Sequence, residues 1–407
     1  MCGIMGFNFQ TNHPWLLRLL HHRGPDNASK VEFDKFTLIH NRLSIVDHNS
    51  KSNQPFISSC GRYTIVFNGE IYNYKELKNK LKNEHDFITD SDTEVLLYLY
   101  IKYDKECLKY LRGMFAFAIY DKVKDRLFCA RDRVGIKPFI YYFKDGKFIF
   151  GSELNSIFSL LDTKPKINQE SILQYLKYLY IPYPNTIFEH IYKLSPAHIL
   201  IYENKSIKIE KYWDSDSFIG KNNGLTESEI LCKLDILFNE SIKLQMISDV
   251  ELCSFLSGGI DSSLIFYYIH MLYYRDIMSM ANSFEVRFPL IDHKIIEFMT
   301  SIDSKWRIKN GQTKYLMRKL LTGKIPDSII NKKKLGLNPP IGIWLKNDLR
   351  ILILNYLSKE IIEKRGLFEY GFIQQMIYEF DNNIKDRSLN IWALIVLEEW
   401  FRQYVDN

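Results

Sequence analysis

The sequence predicts an α+β layered domain over about the first 160 residues, and a mostly helical region with an α/β start from Thr226 onward. Three observations carry this. Short apolar runs crowd residues 63–153 with tight links between them. A less regular stretch follows, with Pro165, Pro182, Pro184 and Pro196. Beyond Thr226, Leu231, Leu234, Phe238 and Ile242 recur at helical spacing.

Taken in order, "YTIVFNGEIYN" (63–73) reads as a strand leading into a polar helix at 75–83, with a second helix at 93–103. "MFAFAIYD", "RLFCARD", "PFIYYF" and "KFIFGSE" then alternate as strands, and Asp145-Gly146 marks a hairpin turn. Closely spaced strands pair antiparallel, and helices can cover their faces. Residues 161–225 read as a connector containing one hairpin, "HILIYENKSIKIEKYW". Thr226 or Ser228 caps the next helix. The apolar "VELCSFL" (250–256) reads as a strand, and helices continue to the end of the 226–407 region.

Composition narrows the function classes. The 407 residues are 46% hydrophobic and 25% charged, as expected of a folded globular chain. A net charge of +6 with dispersed Lys and Arg argues against nucleic acid as a partner. Six cysteines show no CxxC pairing and no His at metal-ligand spacing, so neither a disulfide framework nor a zinc site is expected. The longest apolar run, "LIFYYIHMLYY", falls short of the ~20 residues that span a bilayer. The N-terminus lacks the pattern of a signal peptide. A soluble cytoplasmic protein without membrane partners is the expectation.

Met1 precedes a small residue, and its removal would leave Cys2 at the terminus. A free α-amine titrates near ~7.7–8.0 and a thiol near ~8.5, so the two exchange a proton near neutrality. A terminal nucleophile then carries its own general base. Around Cys2 stand "MCGIMGF", "HHRGPD" (21–26), "NRLSIVD" (41–47), "FNGEIYNY" (67–74), "SDTE" (91–94), "LRGMFAFAIYD" (111–121) and "ARDRVGIKP" (130–138), in that order. Together they resemble the glutaminase domain of class II glutamine amidotransferases of the asparagine synthetase B type. That resemblance implies an αββα N-terminal nucleophile fold.

It also implies that Cys2 attacks the glutamine side-chain amide, with Asn68 and the Gly69 N–H forming the oxyanion hole. Arg42 would meet the substrate α-carboxylate, which a guanidinium fork suits. Glu70 and Asp92 would receive the α-ammonium, and the backbone of Arg42, Leu43, Ser44, Ile45 and Val46 would line the pocket. Asp132 and Arg133 are expected to pin a turn. His21 and His22 are read as packing or surface residues, and Arg23 as structural or site-related alike.

"FLSGGIDSS" (255–263) joins an apolar run to a helix, with glycines that let backbone N–H groups approach an anion. It is similar to the pyrophosphate loop of ATP-pyrophosphatases. By that resemblance Ser257, Gly258, Gly259, Asp261 and Ser262 would surround pyrophosphate and a Mg2+ held by Asp261, with Leu256 beside the nucleotide. "MSMANSFEVRFPLIDH" (278–293), "GQTKYLMRKLL" (311–321) and "KKKLGLNPPIGIWL" (332–345) resemble the synthetase domain of the same family. Lys314 would serve its adenylate step, Glu285 and Arg287 would organise helices, and Lys334 is open between phosphate and solvent. The resemblance implies ATP, Mg2+, glutamine and aspartate as ligands, β-aspartyl-AMP as intermediate, and allows a homodimer.

Only Leu264–Ile277 separates the loop from the downstream motif. With βαβ units of ~30 residues, roughly a hundred residues of strands and crossover helices are expected to be absent here. The family's second acidic glycine-rich loop, of SGEGSDE type, has no match in the chain. Lys314 is therefore expected to lack its usual carboxylate partner. Three readings compete: a glutamine-hydrolysing asparagine synthetase by descent, a glutaminase-only protein, and a non-enzymatic pseudo-synthetase.

Overall fold

The computed structural model describes residues 2–11, 13–252, 254, 256–270, 285–332 and 339–406. In the N-terminal part, strands β1 (Gly3–Phe7), β2 (Asn27–Glu32), β3 (Thr37–Arg42), β4 (Phe56–Ile57) and β5 (Tyr63–Ile71) precede helices α1 (Tyr74–Leu81) and α2 (Asp92–Tyr103). Strands β6 (Gly113–Asp121), β7 (Arg126–Arg131), β8 (Ile140–Lys144) and β9 (Lys147–Gly151) follow, then helix α3 (Leu154–Phe158). Further on come helix α4 (Gln169–Tyr178) and strands β10 (Ile191–Lys193), β11 (His198–Glu203) and β12 (Ser206–Lys211).

These strands make two six-stranded sheets, ordered β10-β8-β9-β1-β3-β2 and β12-β11-β7-β6-β5-β4, with antiparallel pairing throughout. Side-chain alternation explains the layering, because successive strand residues point to opposite faces. Val66, Ala116, Ala118, Leu127 and Cys129 turn toward Ile4, Leu38, Phe148 and Phe150 of the other sheet. Their neighbours Ile65, Phe67, Phe115, Phe117 and Phe128 turn the other way, against Leu77, Val95, Leu96 and Leu99 of α1 and α2. Small residues facing large ones let the two sheets approach and fill the space between them.

The β8–β9 hairpin turns through Asp145 (φ 50°) and Gly146 (φ 79°), both left-handed as a two-residue turn requires. One expectation is corrected here. The "HILIYENKSIKIEKYW" hairpin is no connector: β11 pairs with β7, and β10 pairs with β8, so the sheets extend well past residue 160. The edge of β7 would otherwise be left unpaired.

The chain divides into two compact units. One comprises residues 1–166 and 189–332, the other 167–188 and 333–407. Within the first, helix α5 (Glu227–Gln245) opens on a capping box in which Thr226 and Glu229 each satisfy the other's backbone amide. Its buried stripe is Ile230, Leu234, Leu237, Phe238 and Ile242, with Leu231 only partly buried. Helices α6 (Ile260–His270), α7 (His293–Ser301), α8 (Tyr315–Leu321) and α9 (Asp327–Ile330) complete this region, and Leu264, Tyr268, Ile295 and Leu321 join its core.

The strand expected at 250–256 has no counterpart among the residues described there. None of its described residues, Val250, Glu251, Leu252, Ser254 and Leu256, is in a strand. A strand is stable only when its backbone groups have strand neighbours. The second unit is helical: α4 with α10 (Ile341–Lys346), α11 (Arg350–Tyr356), α12 (Lys359–Arg365), α13 (Tyr370–Asp381) and α14 (Ser388–Tyr404). Ile391, Leu394 and Ile395 of α14 pack with Leu345, Ile353 and Ile373, and Tyr175 donates to the Ala393 carbonyl at 3.3 Å. No described helix is long and apolar enough to cross a membrane.

Candidate active site

Cys2 stands one residue before the pairing of Gly3 with Asn41 on β3. That register brings it beside Leu43, whose amide donates to the Cys2 Sγ at 3.5 Å. The Cys2 carbonyl accepts from Arg23 Nε at 3.2 Å, and Arg23 Nη1 pairs with Glu153 at 2.9 Å. His22 reaches the same Glu153 carboxylate at 3.0 Å, in keeping with a surface role. Burial pushes the Cys2 thiol up; the positive chain terminus and the Leu43 amide oppose that rise.

The chain after β3 is shaped from both sides. A side chain at Gly24 would place its Cβ 2.2 Å from the Asn41 carbonyl oxygen, so only glycine fits there. Asp26 then accepts from the Ser44 amide at 2.7 Å. Arg42, itself buried, donates from Nη1 to the Asn49 carbonyl at 3.0 Å and to Asn53 Oδ1 at 2.7 Å. Its Nη2 donates to the Asp47 carbonyl. In the free protein both terminal nitrogens of Arg42 therefore hold residues 46–53 in a loop, and a substrate carboxylate would share that guanidinium with them.

Asn68 lies near the end of β5, fully buried, and neither its Oδ1 nor its Nδ2 has a hydrogen-bond partner. Leaving such a group unmade costs about 1–3 kcal/mol, so this amide stands ready for an incoming acceptor. Gly69 follows because backbone passes too close for anything larger: a Cβ would sit 2.1 Å from the Met114 carbonyl oxygen.

Two polar side chains fix the peptide just before Asn68. His40 on β3 donates from Nε2 to the Phe67 carbonyl at 3.1 Å, linking the two sheets. Burial holds its imidazole down to about 3, so it stays neutral. Gln54 accepts from the Phe67 amide at 2.6 Å and donates to Thr93 Oγ1 on α2 at 3.1 Å. Neither residue was singled out from sequence. No signal for either lies in the sequence: β3 carries Thr37, His40, Asn41 and Arg42 together, so one polar side chain there does not stand out.

A cluster of buried charges lies beyond. Asp92 at the start of α2 accepts from the Ile71 amide at 2.8 Å. Burial pushes its carboxyl up to about 7 despite that bond, with the Glu285 charge adding. Glu70 is pushed well above the carboxylate range by burial, then by Glu285 and Asp92, while Arg287 and Lys137 pull it back. Arg287 donates from Nε to Glu285 at 3.0 Å, and Lys137, with no exposed surface, lies 3.3 Å from the other Glu285 oxygen. Burial works against the Glu285 charge, yet Lys137 and Arg287 hold it below the usual range. Thus Glu285 and Arg287, expected only to organise helices, stand against the candidate glutamine pocket.

The "ARDRVGIKP" motif proves structural at its centre. Asp132 accepts from the amides of Ile136 and Lys137, both at 2.9 Å. Arg133 donates to the Leu111 and Leu108 carbonyls, both at 2.8 Å.

At the second candidate site, Ser257 and Ser262 hydroxyls lie 3.0 Å apart, and the Ser257 amide donates to Ser262 Oγ at 3.2 Å. Gly258 is left-handed (φ 68°), and a Cβ at Gly258 or Gly259 would meet nothing closer than 3.5 Å. Helix α6 starts directly after. Leu256 is exposed. Lys314 is paired with Asp261, a carboxylate other than the family's usual partner, which the sequence lacks. With the usual neighbours absent from the sequence, the loop's own aspartate is the acceptor within reach. Lys332 Nζ lies 3.5 Å from the Gly258 carbonyl. Open space, two hydroxyls and nearby ammonium groups suit an anion, whereas Asp261 is taken up by Lys314 and no cluster of three metal-ligating side chains occurs among the described residues. Residues 278–284 of "MSMANSFEVR", Lys334 and Cys253 lie outside the described residues.

Residues 1–213 match the family model "Glutamine amidotransferase domain". The chain belongs to that family. The model "Asparagine synthase" matches residues 233–272 and 266–402, two stretches that meet at the end of α6. Among relatives, this amidotransferase is 36% identical to "Asparagine synthetase [glutamine-hydrolyzing] 3" of Bacillus subtilis over 65% of the chain and 44% of that protein. It is also 36% identical to "Putative asparagine synthetase [glutamine-hydrolyzing] 2" of Methanocaldococcus jannaschii, over 65% of the chain and 56% of that protein. The amidotransferase chain thus spans about half the length of these two relatives.

A third, "Asparagine synthetase [glutamine-hydrolyzing] 1" of Bacillus subtilis, is 23% identical over 618 aligned positions, covering 98% of the chain and 96% of that protein. Since the chain has 407 residues, about two hundred of those positions face no residue of this amidotransferase.

Proposed function

We propose that this amidotransferase hydrolyses glutamine at Cys2 and passes the ammonia to an AMP-activated aspartate carboxylate, making asparagine. The observation that supports it best is the unpartnered Asn68 amide next to a buried carboxylate pair, Glu70 and Asp92, in the charge field of the Cys2 thiol. With Met1 removed, the α-amine of Cys2 takes the thiol proton. The thiolate adds to the amide carbon, and the oxyanion receives hydrogen bonds from Asn68 Nδ2 and the Gly69 N–H. The proton passes to the leaving nitrogen, ammonia departs, and water hydrolyses the thioester to glutamate.

Arg42 and the Leu43–Val46 backbone orient the substrate carboxylate end, and Glu70 with Asp92 its ammonium. At the second site Ser257, Gly258, Gly259 and Ser262 would hold the phosphates, and Lys314 would neutralise charge at the adenylate step. ATP supplies AMP as the leaving group on the aspartate carboxylate. Water exclusion keeps the transferred ammonia unprotonated and nucleophilic. The reading takes the two "Asparagine synthase" stretches as flanks of an internal deletion near 264–277. It also implies a cytoplasmic protein and allows a homodimer.

Glutamate release by the purified protein, abolished in Cys2→Ala, tests the first step. Aspartate-dependent ATP–pyrophosphate exchange tests the second. Hydrolysis without exchange would leave ammonia release as the whole activity, and the absence of both would overturn the proposal.

A further inference from the structure

The buried charge cluster contains one group that the glutaminase chemistry leaves unused. Arg287 is anchored through Nη1 to the Gln245 carbonyl at 2.7 Å and the Ile247 carbonyl at 2.6 Å. Its Nε donates to Glu285 at 3.0 Å, and its guanidinium lies 5.8 Å from the centre of the Tyr72 ring. The remaining nitrogen, Nη2, is buried without a hydrogen-bond partner and lies 3.8 Å from Glu70 Oε2. Three of the five N–H donors of this planar fork are thus engaged, and the two left on Nη2 are the ones nearest a glutamine-pocket carboxylate.

We infer that Arg287 is a positioning residue of the glutaminase site: its Nη2 orients the Glu70 carboxyl group that receives the α-ammonium of glutamine, although it lies more than two hundred residues downstream of Glu70. The inference rests on the glutaminase reading above. Glu70 cannot take up that ammonium while it carries a proton. Two like charges press on it, Asp92 from the start of α2 and Glu285 from the 285–287 segment. Two cations relieve it, Arg287 from that same segment and Lys137 from the turn after β7. Tyr72, Tyr74 and Cys2 also feel its charge from the end of β5, the start of α1 and the start of β1.

Glu285 has a double part. It braces Arg287 through Nε, but it also competes with Glu70 for the same guanidinium. Removing Arg287 and removing the Glu285 charge should therefore act on Glu70 in opposite senses. A simple packing lesion would not do so.

The experiment is the pH dependence of the glutamine KM, with kcat, in the full-length protein. Arg287→Gln should raise the KM at neutral pH about tenfold, the scale of one lost charge-assisted bond, with kcat little changed. It should also move the acid rise in KM to higher pH. Arg287→Lys should restore the position of that rise, and Glu285→Gln should move it to lower pH. Equal shifts in one direction, or a fall in kcat alone with the KM profile in place, would overturn the inference while leaving the glutaminase reading intact. Absence of glutamine hydrolysis in the unmodified protein would overturn that reading, and the inference with it.

Discussion

The Asp47 amide donates to the Asp249 carboxylate at 2.7 Å, and the Asp249 amide donates back to the Ile45 carbonyl at 3.0 Å. This reciprocal pair clamps the loop after β3 to the chain that follows α5. Asp249→Ala removes the carboxylate but leaves an amide that water can solvate, so stability should fall by only about 1 kcal/mol. The glutamine KM should rise several-fold with kcat preserved. Thermal melts and steady-state kinetics check this, and Asp249→Asn should behave nearly as the unmodified protein.

Asn68→Ala should separate catalysis from stability. Loss of one oxyanion donor costs ~2.7–4 kcal/mol of barrier lowering, a kcat reduction of about 10²–10³. Because the amide has no partner in the free protein, removing it breaks no folded-state bond and relieves its desolvation cost, so the unfolding free energy should not fall by more than about 1 kcal/mol. A large stability loss alongside would show that the amide is structural.

Asp92 should make the protein less stable as pH rises. Its folded carboxyl is pushed up to about 7, first by burial, from an ordinary value of 3.8. Between those values the folded chain holds a proton that the unfolded chain has released. The Asp92 contribution therefore weakens from about pH 4 to 7 and is smallest above 7. Asp92→Asn removes that slope, so the variant should gain stability over the unmodified protein at pH 8 and little at pH 4. Its glutamine KM should rise at least tenfold. His40, held neutral by burial, slopes the other way in acid but is common to both proteins, so the difference between their denaturation curves isolates Asp92.

Lys314→Ala should be mild for folding. The Lys314–Asp261 pair is partly exposed, and such pairs contribute about 0–1 kcal/mol. Glutamine hydrolysis should be unchanged, whereas aspartate-dependent ATP–pyrophosphate exchange should be lost. Retained exchange would remove Lys314 from the adenylate step.

Much of the N-terminal architecture was legible because its signals are local. Alternation along "MFAFAIYD" and "RLFCARD" assigns each residue to a sheet face, and Asp145-Gly146 is one of the few pairs that turn a two-residue hairpin without strain. The capping box at Thr226 and Glu229 is equally local. "VELCSFL" misled for the complementary reason: apolar residues favour a strand, but only neighbouring strands can satisfy its backbone. The hairpin at 198–211 looked like a connector because its pairing with β7 joins residues about seventy positions apart.

The sequence by itself determined which residue types the candidate site contains and their order: Cys2, Arg42, Asn68, Gly69, Glu70 and Asp92, then the Ser257–Ser262 loop and Lys314. Those motifs are short, and their chemistry is what the family resemblance implies. Only the tertiary structure decided who holds whom. It engaged Arg42 with its own loop, tied His40 and Gln54 to the peptide before Asn68, gave Asp261 to Lys314, and brought Glu285 and Arg287 against Glu70. The reason is physical: desolvation makes each buried charge depend on whatever partners the folded chain brings within a few ångströms, and sequence separation carries no information about that distance.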